Sequence, residues 1–227
     1  MKPYAQEIKD IKEKKRVIPA TFDPVFKNIL IDKKNRNYLT SLISNITSIP
    51  KNVVDENMII LNDLDLDYYK IIEKPKDILV YIENNFISIE MNKYFYDDKC
   101  IQISFRNFIN ERMYDSTDTI LEFQMRSETG IIDESYGKIY VVNIEKIKNI
   151  WYDKARKESL TDFEKSMLML YLTSKQSLDE LAKGNEDLMK LKTSLEEISS
   201  NEKIIYFYSK RLEKKYEKEH IEEKLEK

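Results

Sequence analysis

The chain has 227 residues, of which 35% are charged, and its 38 basic against 41 acidic side chains leave a formal charge of -3. That balance excludes an overall basic field of the kind that draws a protein onto nucleic acid, so any DNA contact must be local. A single cysteine, Cys100, excludes an internal disulfide framework and a thiolate zinc site, and a single histidine, His220, in a charged tail argues against Ser-His-Asp or Cys-His catalysis.

With 3 glycines and 5 prolines the chain has few sharp loops and much regular structure, and it is long enough for one core and an appendage. No apolar run approaches the roughly 18 residues that span a bilayer. The opening MKPYAQEIKDIKEKKR lacks the apolar middle of a signal peptide, so a cytoplasmic protein without a membrane partner is expected.

Residues 1–19 are polar, with Lys12, Lys14, Lys15 and Arg16 clustered, and read as a flexible or marginally helical arm in preference to a specific DNA-binding arm. Asp23-Pro24 predicts a helix start, Asp as N-cap and Pro at the first helical position, with Val25, Phe26, Ile29 and Leu30 facing inward. A polar interruption over 32–37 precedes a second helical stretch whose inward face is Tyr38, Leu39, Leu42, Ile43 and Ile46, closed by Ile49-Pro50. Met58 to Leu61 begins a strand expected to run to about Leu66. Its Asp63, Asp65 and Asp67 lack the glycine and distal Glu of a calcium loop and read as a solvated edge.

Residues 76–93, KDILVYIENNFISIEMNK, hold two period-two runs that meet at Asn84-Asn85, which predicts a β-hairpin with those asparagines as its loop. Leu79 would then lie opposite Glu90 and Asp77 opposite Asn92. One face carries Ile78, Val80, Ile82, Ile87, Ile89 and Met91 and belongs in a core. The other carries Asp77, Leu79, Tyr81, Glu83, Phe86, Ser88, Glu90 and Asn92. An outer hairpin face is normally solvated, but Leu79, Tyr81 and Phe86 suggest partial cover over this one. Two carboxylates about 4 Å apart repel by roughly 4 kcal/mol at an effective dielectric near 20, so a covered pair must bind a cation or take up a proton.

Asp77 followed by a strand turn and Glu90-Met91-Asn92 resembles the PD-(D/E)xK nuclease core, in the branch of recombination-promoting nucleases and transposase-like proteins. Phe22-Asp23-Pro24-Val25-Phe26-Lys27 resembles the D-x-x-F-K opening of that branch. Ile89-Glu90-Met91-Asn92 resembles its I-E-M-Q or I-E-M-N strand, and Arg106-Asn107 the Arg that begins its next helix. The resemblance spans roughly residues 20–150. It implies a magnesium- or manganese-dependent DNA endonuclease in which Asp77, Glu90 and the Met91 carbonyl hold the metal and Asn92 orients the attacking water. Asn92 stands where the family has Lys or Gln, and a neutral amide cannot supply the charge of Lys. Asp23 either caps its helix or joins the metal site, Lys27 either reaches a phosphate or pairs with solvent, and Arg106 either holds a phosphate, braces an acid or forms an ordinary ion pair.

Tyr94, Phe95 and Tyr96 form an aromatic cluster. From Asp98 to about Tyr114 the spacing of Ile101, Phe105, Phe108 and Ile109 predicts a helix, with Gln102 and Arg106 one turn apart. Residues 115–137 carry no clear pattern beyond turns at Gly130 and Gly137, and KIYVVNIEKI over 138–147 reads as a strand. Beyond it, Thr161-Asp162-Phe163-Glu164 and Ser177-Leu178-Asp179-Glu180 are capping boxes. Leu188, Leu191, Leu195 and Ile198 mark one helix, and Ile204, Ile205, Tyr208, Leu212 and Tyr216 mark the last.

The expected architecture is α/β: a polar arm (1–19), a restriction-endonuclease-like core with a mixed central sheet flanked by helices (20–150), and a helical C-terminal extension (151–227) that either packs on the core or makes a homodimer. The alternative function is a catalytically silent DNA-binding or protein-interaction module that kept the fold.

Overall fold

A computed structural model describes residues 3–61, 78–91, 100–106, 118–124, 126–132, 137–153 and 155–225. In chain order the elements are α1 (Pro3–Lys12), α2 (Asp23–Ile31), α3 (Arg36–Thr47), α4 (Lys51–Asn57), β1 (Ile59–Ile60), β2 (Ile78–Ile82), β3 (Asn85–Met91), β4 (Cys100–Arg106), β5 (Ile120–Phe123) and β6 (Ile139–Asn143). Then come α5 (Ile144–Tyr152), α6 (Asp162–Met169), α7 (Lys175–Ala182), α8 (Glu186–Ser199) and α9 (Glu202–Leu225). The chain divides into two compact units, residues 1–29 with 169–227, and residues 30–168, where the sequence suggested boundaries after 19 and 150.

In the unit of residues 30–168 the stripe expected on α3 is the one observed: Tyr38, Leu39, Leu42, Ile43 and Ile46 are all buried, each contributing about 1.5–3 kcal/mol by leaving water. Tyr38 resolves its own polar tip by donating from Oη to the Ser166 carbonyl at 3.2 Å. Ser48, at φ 61°, ends α3 in the left-handed region. α4 follows Pro50 and was not anticipated.

Six described strands form a mixed sheet in the order β1-β2-β3-β4-β6-β5. β1, β2 and β3 are antiparallel, β3, β4 and β6 are mutually parallel, and β5 returns antiparallel on β6. The mixed sheet and its helices agree with the coarse α/β expectation.

The hairpin exists, but its loop is Glu83-Asn84, not Asn84-Asn85: both loop residues have positive φ, 44° and 69°, and Ile82 pairs with Asn85. The ladder therefore puts Leu79 opposite Ser88, where Glu90 was expected, and Tyr81 opposite Phe86. That last pair supplies the reason, since the two rings meet tilted, 5.2 Å between centroids, a gain of about 0.5–1.5 kcal/mol beyond burial. Tyr81 Oη also donates to Asn84 Oδ1 at 2.8 Å.

The expected helix from Asp98 is corrected for its described part: Cys100–Arg106 is β4, between β3 and β6 in the sheet. CIQISFR satisfies period two as well as a helical stripe, and pairing with two neighbours decides for the strand. The strand expected over 138–147 ends at Asn143, which caps α5 by accepting from the Lys146 N–H at 3.0 Å.

In the unit of residues 1–29 with 169–227 the N-terminal segment is helical, and α1 packs on α9. Tyr4 and Tyr216 meet edge to face at 5.9 Å, and Tyr208 Oη donates to Glu7 Oε1 at 2.6 Å. Extended backbone after α1 pairs with the segment before α7: the Val17 N–H donates to the Thr173 carbonyl at 2.8 Å and the Ala20 N–H to the Leu170 carbonyl at 3.1 Å. α7 opens at Lys175 with Ser174 as its cap residue, so Ser177 lies inside the helix and not at its start. In the unit of residues 30–168 the Thr161 box is formed, with the Glu164 N–H donating to Thr161 Oγ1 and the Thr161 N–H to Glu164 Oε2. No described helix is long and apolar enough to cross a membrane.

Candidate functional site

The outer face of the sheet is not solvated. Ser88 and Glu90 on β3, Gln102, Ser104 and Arg106 on β4, and Asn143 on β6 are all at most 6% exposed. They share one face because the ladder pairs Ser88 with Gln102, Glu90 with Ser104 and Arg106 with Asn143, and directly paired residues point the same way. Three parallel strands thus deliver a carboxylate, a hydroxyl, a guanidinium and a carboxamide toward their shared C-terminal end. Toward the other end the same face is apolar, where Leu79 and Cys100 are buried against Leu61 and Phe86.

Glu90 has no exposed surface. Burying a carboxylate is tolerable only with hydrogen-bond donors around it, and Ser88 Oγ donates to Glu90 Oε1 at 2.9 Å. Arg106 closes β4 and donates from Nε to Ser104 Oγ at 3.2 Å, so the residue expected to begin a helix instead ends a central strand. Neutral and charged donors stand along one strip of the sheet, a setting in which a low local dielectric strengthens each bond and penalises any gap.

Of the residues singled out in the sequence, Asp77 and Asn92 lie outside the described residues, as do Asp63, Asp65, Asp67 and the aromatics Tyr94, Phe95 and Tyr96. Met91 is 2% exposed, and its side chain belongs to the opposite, apolar face with Ile87 and Ile89. Asp23 is the first residue of α2, with Pro24 next and the Phe22 carbonyl accepting from the Val25 and Phe26 N–H groups; Lys27 lies one turn further along and is half-buried. Asp23 and Lys27 belong to the unit of residues 1–29 with 169–227, Glu90 and Arg106 to the other.

Gln102, Ser104 and Asn143 were not recognised as companions of Glu90. The signal was the alternation Cys100, Gln102, Ser104, Arg106, hidden by the helical spacing of Ile101 and Phe105.

A hard divalent cation takes about six oxygen ligands, usually with one or two carboxylates among them. The described part of this face offers one carboxylate, Glu90, and among the described residues no three His, Cys, Asp or Glu side chains stand together as ligands. The described residues do not by themselves make a metal centre. No family model, curated protein or solved structure matches the chain.

Proposed function

We propose that the chain is a metal-dependent DNA endonuclease of the PD-(D/E)xK type, or a recombination-associated descendant of one, with Glu90 as an acid of its site. The observation that carries this reading is the buried carboxylate on an inner strand, with hydroxyl, carboxamide and guanidinium groups gathered at one end of three parallel strands. Stability alone is a poor reason to keep such a strip, since well-packed apolar replacements of buried ionic groups are often neutral or stabilising. A mixed sheet flanked by helices is also what the sequence resemblance implies. The reading requires Asp77, which lies outside the described residues, beside Glu90. Magnesium or manganese is the expected cofactor and DNA the expected substrate. A homodimer through the C-terminal helices belongs to the same reading, and light scattering tests it.

The second reading is a silent DNA-binding or protein-interaction module. It is favoured by Asn92 at the position where the resembled family has Lys or Gln and by the formal charge of -3.

The test combines calorimetry with magnesium and manganese and plasmid cleavage under the same conditions, on the native protein, Glu90→Gln and Asp77→Asn, with circular dichroism to check folding. The endonuclease predicts metal binding and cutting that both variants lose while remaining folded. Native protein that neither binds metal nor cuts eliminates the endonuclease, and salt-sensitive DNA binding without cutting establishes the module.

A further inference from the structure

Gln102 sits in the middle of β4, with Ser88 beside it on β3 and Ile139 on β6. Its side chain is 4% exposed, and its Nε2 is buried with no hydrogen-bond partner among the described residues. The companions on this face are engaged: Ser88 with Glu90, Arg106 with Ser104, and Asn143 with the start of α5. A buried amide donor without an acceptor is a standing cost, and a methionine or leucine fills the same volume without it. A carboxamide on an inner strand, next to the strand that carries a buried carboxylate, points to an acceptor that the described residues do not supply.

The chemistry of the neighbourhood narrows that acceptor. A lysine here would be drawn to Glu90, whereas a neutral amide keeps its N–H groups available for an oxygen brought from outside. Glu90 and Gln102 are diagonal neighbours across the ladder, within the roughly 7–8 Å over which long side chains on adjacent strands act on one object. We propose that Gln102 is a substrate-binding residue whose carboxamide donates to a non-bridging oxygen of a DNA phosphodiester brought to Glu90. The inference rests on the endonuclease reading for the identity of the oxygen, while the unmatched donor is independent of it.

The test is fluorescence anisotropy with a short labelled DNA duplex, on the native protein, Gln102→Met, Gln102→Leu and Gln102→Glu, with urea unfolding of each and magnesium-dependent cleavage measured separately. Gln102→Met or Gln102→Leu is expected to unfold at the same or a higher urea concentration than the native protein, yet to bind the duplex about tenfold or more weakly, as the loss of a hydrogen bond to a charged acceptor requires. Gln102→Glu, with an anion facing the phosphate, is expected to bind more weakly still. If both apolar variants bind like the native protein, or both unfold at lower urea, the assignment is overturned. Binding that depends on Gln102 in a protein that never cuts removes the endonuclease and leaves the assignment standing. Cutting and binding unchanged in the apolar variants does the reverse, and a native protein that binds no DNA removes both.

Discussion

Gly137→Ala tests how the polar face is held together. A Cβ built at Gly137 would lie 1.9 Å from the Cys100 carbonyl oxygen and 2.5 Å from its carbon, about 1.1 Å inside the 3.0 Å limit that real Cβ atoms respect. The obstacle is backbone at the first residue of β4, so no side chain can swing aside. The strand or the segment entering β6 must move by about an ångström. Overpacking of this kind costs about 1–3 kcal/mol and occasionally more, and a rigid backbone obstacle puts it at the upper end. The displacement also strains the hydrogen bond from the Gln102 N–H to the Lys138 carbonyl, 2.8 Å long and worth about 1 kcal/mol. A loss of about 3–4 kcal/mol is expected from these two effects. Trp151, the only tryptophan, is 8% exposed and lies in the same unit, so its fluorescence follows urea unfolding of the sheet. With a slope of about 2 kcal/mol per molar urea, the midpoint should fall by roughly 1.5–2 M. Gly130→Ala is the control, since nothing lies within 4 Å of its Cβ position and only its φ of 88° opposes a side chain, at about 1–2 kcal/mol. A Gly137→Ala midpoint within about 0.3 M of the native value would refute the close approach of these segments.

Three further substitutions probe other contacts. Ser199→Ala removes the Oγ that accepts from the buried Ile18 N–H at 2.8 Å, and the orphaned donor should lower the stability of the helical unit by about 1–3 kcal/mol in urea unfolding followed by helical dichroism. The Tyr208 phenol is held above its ordinary value by burial and then by its hydrogen bond to Glu7. A raised folded value means that its contribution is complete below the unfolded pKa of about 10 and is lost as pH rises through the folded value. Stability should therefore fall on the alkaline side of pH 10, and Tyr208→Phe should flatten that fall; an unchanged alkaline slope would rule out this linkage. Glu83→Asn puts a residue tolerant of the left-handed region at φ 44° and should raise the Trp151 midpoint by the equivalent of about 0.5 kcal/mol.

The division of the hairpin into an apolar and a polar face was legible in the sequence, because alternation fixes parity. Moving the loop from Asn84-Asn85 to Glu83-Asn84 shifts each strand's partner by two residues, and a shift of two leaves every side chain on its face. The buried stripe of α3 and the capping box at Thr161 were legible for the same reason: their physics is local. Which residue opposes Leu79 depended on the Tyr81 and Phe86 rings meeting across the ladder, a gain that exists only once the strands pair. CIQISFR fits helix and strand alike, and β3 and β6 on either side of it chose the strand, bringing Gln102, Ser104 and Arg106 onto the face of Glu90. The burial of that polar face and the joining of residues 1–29 with 169–227 into one unit were likewise decided by the tertiary structure. Periodicity records which side of an element avoids water. It does not record which distant element does the covering, since that depends on contacts between residues far apart in the chain.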